Sequence, residues 1–176
     1  EKHFRGDCSA TMIGRRWAVT AAHCISNNKK DDLRDKMGSL YLNPFDPWRQ
    51  DEETGNSNWG RPYQIKDIKA LHEHPLHEPG PASSYDVALI ELDSDVHEYI
   101  ETVPIADCSY VDSLQSGEQL EVLGMGQTQF NGPKATHLKE VFVPLVSKEQ
   151  CRDNYSDKEW AIDHTMVCAG GEGTSD

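Results

Sequence analysis

Short runs in which apolar or β-branched residues dominate recur along the chain between turn residues. Runs of this kind, four to eight residues long, predict β-strands, because successive side chains of a strand point to opposite faces of a sheet. The runs lie at residues 10–13, 17–20, 39–42, 63–66, 87–92, 120–123 and 141–146. A single helix-like stretch follows Val146, where Ser147 can serve as the N-cap. Many short strands and almost no helix predict an all-β protein, either a barrel or a sandwich.

Composition narrows the class of protein further. The 176 residues include 17 Lys or Arg and 30 Asp or Glu, which gives a net charge of −13. Such acidity argues against a nucleic-acid partner, because phosphate binding requires clustered basic side chains. The mean hydropathy is −0.70, and no apolar run approaches the roughly 20 residues of a membrane-spanning helix. We therefore expect no membrane span and no nucleic-acid partner.

Both ends of the sequence are unusual for a complete protein. The first residue is Glu1 and not Met, and the chain stops at Asp176 within a glycine-rich turn region. We expect a chain that is shortened at both ends. On that expectation, the lack of a signal peptide carries no information about the compartment.

The turn after the second predicted strand carries candidate chemistry. Residues 19–24 read Val-Thr-Ala-Ala-His-Cys, and Cys8 lies at the opposite end of the predicted hairpin. Cysteines that bracket a hairpin can form a disulfide between its ends, and closing such a loop stabilises the folded state by about 3 kcal/mol. An imidazole held between small side chains suits a general base, which needs a fixed geometry. The alternative for His23 is a surface histidine beside a structural disulfide.

A second candidate lies directly before the most apolar strand. Asp86 precedes Val-Ala-Leu-Ile at 87–90, and a carboxylate at the mouth of a buried strand is costly unless it is paired or hydrogen-bonded. The alternative is an ordinary turn aspartate.

These blocks together resemble the chymotrypsin/trypsin-like serine proteases. Thr-Ala-Ala-His-Cys at 20–24 matches the block that carries the catalytic histidine of that family, and residues 86–90 match its Asp-Ile-Ala-Leu-Ile block with one conservative change. The segment at 124–126 resembles the family's Gly-Trp-Gly, although Met125 stands where Trp is usual. The resemblance implies that His23 is the general base, that Asp86 orients it, and that Cys8 pairs with Cys24.

The resemblance also implies the architecture. We expect one partial protease domain over residues 1–176 with two antiparallel β-barrels. The first barrel, about 1–105, lacks its start, and the second, about 106–176, is incomplete. In the family two cysteines are joined across a short helix and loop, which here implies a disulfide between Cys151 and Cys168. Cys108 is then left over: either its partner lies on a segment released by activation cleavage, or it is a buried free thiol.

The family's nucleophile block, Gly-Asp-Ser-Gly-Gly, does not occur in these residues. Ser175 lacks the flanking glycines whose amides form an oxyanion hole, so we expect the nucleophile beyond Asp176 and no triad hydrolysis by this chain alone. In trypsin-like members an aspartate shortly before the nucleophile forms the floor of the specificity pocket. The position of Asp176 fits that residue, which implies cleavage after Arg or Lys.

Two segments contain possible metal ligands, but each also has another interpretation. Residues 72–78 read His-Glu-His-Pro-Leu-His-Glu and can suggest zinc ligands, but the family has a His-Pro pair here. The polar loop at 46–60, with Asp51, Glu52 and Glu53, could hold Ca²⁺, although a solvated acidic loop explains it as well. We predict no metal site and no obligatory cofactor.

The predicted function is that of a secreted, extracellular serine endopeptidase. Its expected partners are protein or peptide substrates and protease inhibitors. The alternative from another class is a non-catalytic homologue that keeps the fold for binding and has lost the nucleophile. The presence of both His23 and Asp86 counts against that alternative.

Overall fold

The computed structural model describes residues 8–26, 39–42, 64–80, 83–129, 131–135, 138–156 and 162–171. Strands dominate this part of the chain, and the three helices within it are short. The strands are β1 Thr11–Gly14, β2 Trp17–Thr20, β3 Ser39–Leu42, β4 Gln64–Glu73, β5 Ala88–Leu92, β6 Gln119–Gly124, β7 Lys139–Val146 and β8 Cys168–Ala169. The helices are α1 His23–Ser26, α2 Cys108–Ser113 and α3 Lys148–Asn154. The predicted all-β class is confirmed.

Each predicted run corresponds to an observed strand, but one strand is much longer than its run. The run at 63–66 predicts only the beginning of β4, which continues to Glu73. A register shift lies between Ile68 and Ala70 in the pairing of β4 with β5. Beyond it, adjacent Ala70 and Leu71 are both half-buried. The bulge changes which side chains face the core, and this change breaks the alternation that would have predicted the second half of the strand.

The described chain forms two compact units, and the first contains β1 to β5 with α1. Its five strands form one sheet in the order β1-β2-β5-β4-β3, and all neighbours are antiparallel. Thr20 at the end of β2 pairs with Ala88 at the start of β5, and Glu73 at the end of β4 pairs with the same residue. The ends of β2 and β4 and the start of β5 therefore meet at one edge of the sheet.

One face of this sheet forms the core of the first unit. β5 alternates strictly between buried and half-buried residues, as expected of a central strand with one face packed against the core. Burying these side chains is the main source of stability of the unit, at about 1.5–3 kcal/mol for each large aliphatic residue. The cluster consists of Met12, Ala18, Leu42, Ile90, Leu92 and Val96.

The second unit contains β6, β7, β8, α2 and α3. Its three strands form an antiparallel sheet in the order β6-β7-β8. Ser147 caps α3 as the sequence predicts, since its hydroxyl oxygen accepts from the Gln150 N–H at 3.2 Å. Cys151 on α3 is buried and forms a disulfide with Cys168 on β8, which ties the helix to the sheet.

Within the described ranges, none of the helices is long and apolar enough to cross a membrane.

Candidate active site

The turn between β2 and α1 is packed tightly and carries His23. Thr20 is buried, and its hydroxyl donates to the Ser9 carbonyl oxygen at 2.8 Å. Ala22 has no exposed surface, so a larger side chain would have to displace its neighbours. The chain enters α1 directly after this alanine, and the first helical residue is His23. Its side chain is 57% exposed, so the backbone is fixed while the imidazole remains accessible to solvent.

A disulfide holds the same turn from the other side. Cys24 is joined to Cys8, with the two Cα atoms 6.1 Å apart. Because Cys24 follows His23 directly, the bridge ties the imidazole-bearing turn to the segment that leads into β1.

We expect removal of this bridge to loosen the site as well as the fold. A Cys8→Ser/Cys24→Ser variant of the protein should lose about 3 kcal/mol in free energy of unfolding, measured by urea denaturation. Cys151→Ser/Cys168→Ser is the matched control, because it opens a loop with a sequence separation of 17 in place of 16. Both variants should lose similar stability, but only the first should shift the ring resonances of His23 in NMR spectra. Unchanged His23 resonances in the first variant would contradict the expectation.

Asp86 lies in a strained turn just before β5. Tyr85 has a φ of 53°, in the left-handed region, which costs a residue other than glycine roughly 1–3 kcal/mol. The N–H of Val87 donates back to the Tyr85 carbonyl oxygen at 2.7 Å. The Tyr85 ring stacks on His74, with centroids 4.7 Å apart and planes 8° apart, and this stacking offsets part of the strain. The turn aims the Asp86 carboxylate back toward the end of β2.

His23 and Asp86 make two contacts through the two oxygens of one carboxylate. Nδ1 of the imidazole lies 2.7 Å from Oδ2, and the backbone N–H of His23 donates to Oδ1 at 2.8 Å. An ionised carboxylate can only accept, so Nδ1 is the protonated nitrogen and Nε2 carries the lone pair in the neutral ring. The paired contacts therefore fix both the tautomer and the orientation of the imidazole. Such a ring can take a proton at Nε2.

The environment favours the ionised form of Asp86. Burial raises the pKa of its carboxyl, but hydrogen bonds from the side chain and backbone of His23 and the nearby imidazoles of His23 and His77 outweigh burial. The net result is a pKa below the ordinary value of 3.8. A depressed pKa means that this carboxylate contributes stability above pH 3.8, and that the contribution is lost as the pH falls through the folded-state pKa.

A third titratable side chain, His77, lies behind Asp86. Its side chain is fully buried, and its Nε2 lies 3.8 Å from Asp86 Oδ1. Its Nδ1 contacts Glu73 Oε1 at 2.7 Å. Motif comparison gives His77 no role, although the histidine-rich segment 72–78 draws attention to it as a metal candidate.

The three histidines of that segment have different partners, so their rings do not meet at a common metal site. His72 lies on β4 near Trp17 and Glu91, His74 stacks on Tyr85, and His77 lies against Glu73. In the part of the chain that the structure describes, the side-chain group with metal-like spacing is Cys8, His23 and Cys24. Its two sulfurs are already bonded to each other, so they offer no thiolate to a metal.

The remaining predicted residues fall partly outside the described ranges. Asp176 and the acidic loop with Asp51, Glu52 and Glu53 lie outside them. Cys108 is a free thiol and is exposed at the start of α2. The alternative of a buried free thiol is therefore wrong, while a partner on another segment stays a prediction.

Comparison with known proteins agrees with the sequence blocks. The family model described as trypsin matches residues 2–176. Similar curated proteins include trypsin 5G1 of Aedes aegypti, 27% identical over 96% of this chain and 54% of that protein. They also include trypsin of Simulium vittatum, 28% identical over 95% of this chain and 60% of that protein.

A longer relative shares the same region. Clotting factor C of Tachypleus tridentatus is 25% identical over 93% of this chain, which corresponds to 16% of that protein. The chain thus spans a small part of the clotting factor and somewhat more than half of the two trypsins.

Proposed function

The chain belongs to the trypsin family of serine proteases, and from this premise we propose that it supplies His23 and Asp86 to the active site of an endopeptidase. The observation that carries the proposal is the double contact of one carboxylate with the ring and the backbone of His23. It leaves a fixed imidazole, more than half exposed, with its lone pair on Nε2. This is the arrangement that a general base requires.

The proposed mechanism uses His23 as a proton carrier. Nε2 takes the proton from a serine hydroxyl as its oxygen attacks the scissile carbonyl carbon, and gives it to the leaving amine when the peptide bond breaks. Asp86 remains ionised throughout and stabilises the imidazolium that forms between these steps. In the second half of the reaction Nε2 takes a proton from water as the water oxygen attacks the acyl carbon, and gives it to the serine oxygen when the acyl-enzyme bond breaks. The depressed pKa of Asp86 supports this role, because the carboxylate stays charged at neutral pH.

We propose that the nucleophilic serine lies outside residues 1–176, in the longer protein that contains this chain. The sequence has no Gly-Asp-Ser-Gly-Gly block, and glycine amides beside the serine are the usual source of an oxyanion hole. Activity is therefore assigned to the full-length protein.

Substrates are proposed to be proteins or peptides cleaved after Arg or Lys. The sequence position of Asp176 supports this specificity, because a carboxylate at the floor of the specificity pocket pairs with a basic side chain. An extracellular location is proposed as well. The two disulfides support it, since such bonds persist in oxidising compartments. Protease inhibitors are further candidate partners.

The cleavage pattern of the full-length protein tests both activity and specificity. We expect digestion of a denatured protein mixture to give peptides that end in Arg or Lys, identified by mass spectrometry. Asp176→Ser should lower kcat/KM for such substrates by about 10³-fold or more, since a substrate charge then lacks its partner. Asp112→Ser, an exposed aspartate on α2, is the control and should leave the pattern unchanged.

Two outcomes would contradict parts of the proposal. Cuts after Phe or Tyr would refute the role of Asp176 while preserving the endopeptidase assignment. Absence of cleavage by a folded, processed full-length protein would refute the enzyme and favour the non-catalytic homologue.

A further inference from the structure

His77 is an unusual residue in the first unit because its ionisable ring has no exposed side-chain surface. It lies in the loop after β4, where its backbone N–H donates to the His74 carbonyl oxygen at 3.0 Å. An imidazole buried without hydrogen-bond partners would destabilise the fold by about 1–3 kcal/mol. The buried position of His77 therefore requires polar groups near its two ring nitrogens.

Both nitrogens face polar groups. Nδ1 lies 2.7 Å from Glu73 Oε1, so Nδ1–H donates to that carboxylate. Nε2 lies 3.3 Å from the Ser83 hydroxyl and 3.8 Å from Asp86 Oδ1. The Ser83 hydroxyl is itself within 3.3 Å of the Glu78 carbonyl oxygen, to which it donates. Both edges of the His77 ring therefore lie against polar groups.

These contacts continue the His23–Asp86 pair into a row of four groups. Glu73 contacts His77, His77 faces Asp86, and Asp86 contacts His23, so carboxylate and imidazole alternate. The oxygen of Asp86 that faces His77 is Oδ1, whereas Oδ2 contacts the ring of His23. His77 thus reaches Asp86 through the oxygen that the catalytic imidazole does not use.

We infer that His77, held by Glu73, is a positioning residue that keeps the Asp86 carboxylate in place for His23. The inference rests on the proposed roles of His23 and Asp86 and adds a residue behind them. His77 does not touch the reacting atoms; it acts through Asp86. The nearby imidazole is also one of the influences that lower the pKa of Asp86.

The arrangement predicts a change in pH dependence when the ring is removed. Among the described residues, the titratable groups facing His77 are Glu73 from β4 and Asp86 from the turn before β5. Those facing Asp86 are His23 from α1 and His77. Without the imidazole, the Asp86 carboxylate loses the side chain that holds it on the side of Oδ1. A less fixed carboxylate stabilises the protonated form of His23 less well, so the imidazole becomes available as a base at lower pH.

The test uses two variants of the full-length protein. His77→Gln keeps a hydrogen-bond donor without a ring, and His77→Phe keeps the ring volume without a donor. For both we expect kcat to fall by about 10-fold with little change in KM. The acid limb of kcat/KM, which is the rise in kcat/KM on the low-pH side of its pH profile, should move to lower pH. The limb shift is the deciding measurement, because a residue needed only for packing would lower stability or kcat without moving it.

His72→Gln is the matched control. His72 lies in the same histidine-rich segment, is half exposed, and contacts Glu91 and Trp17, so its replacement should leave the acid limb at the wild-type pH. An unmoved limb in both folded His77 variants would overturn the inference.

An NMR measurement separates failure of this inference from failure of the proposed function. The His23 Nδ1 proton should shift its resonance in His77→Gln whether or not the protein hydrolyses peptides. If the wild type is inactive and the resonance shifts, the endopeptidase proposal fails and the positioning role stands. If the wild type is active and neither resonance nor limb shifts, the positioning role alone fails.

Discussion

We expect the replacement of His23 with alanine to lower kcat/KM of the full-length protein for peptide hydrolysis by roughly 10⁴- to 10⁶-fold. This is the range expected when the general base of a serine protease is removed, since only substrate binding and the oxyanion hole then contribute. His23→Ala removes the one nitrogen, Nε2, that the contact with Asp86 leaves to accept a proton. Hydrolysis of a chromogenic peptide under kcat/KM conditions measures the effect.

Folding has to be shown to survive this substitution. The His23 side chain is 57% exposed, and alanine is well tolerated in a helix. The urea midpoint should therefore remain close to that of the wild type. Labelling by a fluorophosphonate, which reacts with an activated serine, should be lost in parallel with hydrolysis. A folded His23→Ala protein that retains a tenth of the wild-type activity would contradict the assignment of His23 as base.

The second large effect is expected for Asp86→Asn, which should lower kcat by about 10⁴-fold at neutral pH. The substitution keeps the size of the side chain but replaces one acceptor oxygen with an amide that donates. Nδ1 of His23 can then accept from the amide, which stabilises the tautomer with its proton on Nε2 and no lone pair for the serine. Loss of the negative charge also removes the partner of the imidazolium. Steady-state kinetics with the same peptide measures this.

Asp86→Asn should also change how stability depends on pH. The depressed pKa of Asp86 means that the wild type has an advantage over the variant above pH 3.8, and that the difference shrinks as the pH falls through the folded-state pKa. Urea unfolding at neutral pH and at successively lower pH measures this difference. Asp93→Asn is the matched control, because Asp93 is exposed at the other end of β5 and should leave activity unchanged. If the stability difference between the wild type and Asp86→Asn grew as the pH fell, the expected sign of the pH dependence would be wrong.

The local features of the fold followed from local pattern. In the described part of the chain, the predicted runs located each strand longer than two residues, because the apolar and β-branched residues that favour a strand lie within the strand itself. Ser147 was identified as the cap of α3 for the same reason, since a cap needs only the next three residues. Strand and helix segments were both missed. The second half of β4 is hidden by a bulge, and β8 has only two residues, Cys168 and Ala169. The short helices α1 and α2 were also missed, since only the stretch after Val146 was predicted to be helical.

Some features of the candidate site also follow from local sequence, whereas others depend on the tertiary structure. The sequence by itself determined the residue blocks around His23 and Asp86, the family that they indicate, and the turn that each residue occupies. Only the tertiary structure decided that the 2.7 Å contact between them forms, because it depends on the register in which Thr20 of β2 and Ala88 of β5 pair. His77 shows this most clearly. Its pattern suggested a metal ligand, whereas its position depends on β4 ending beside β5, a non-local pairing that no short window of sequence contains.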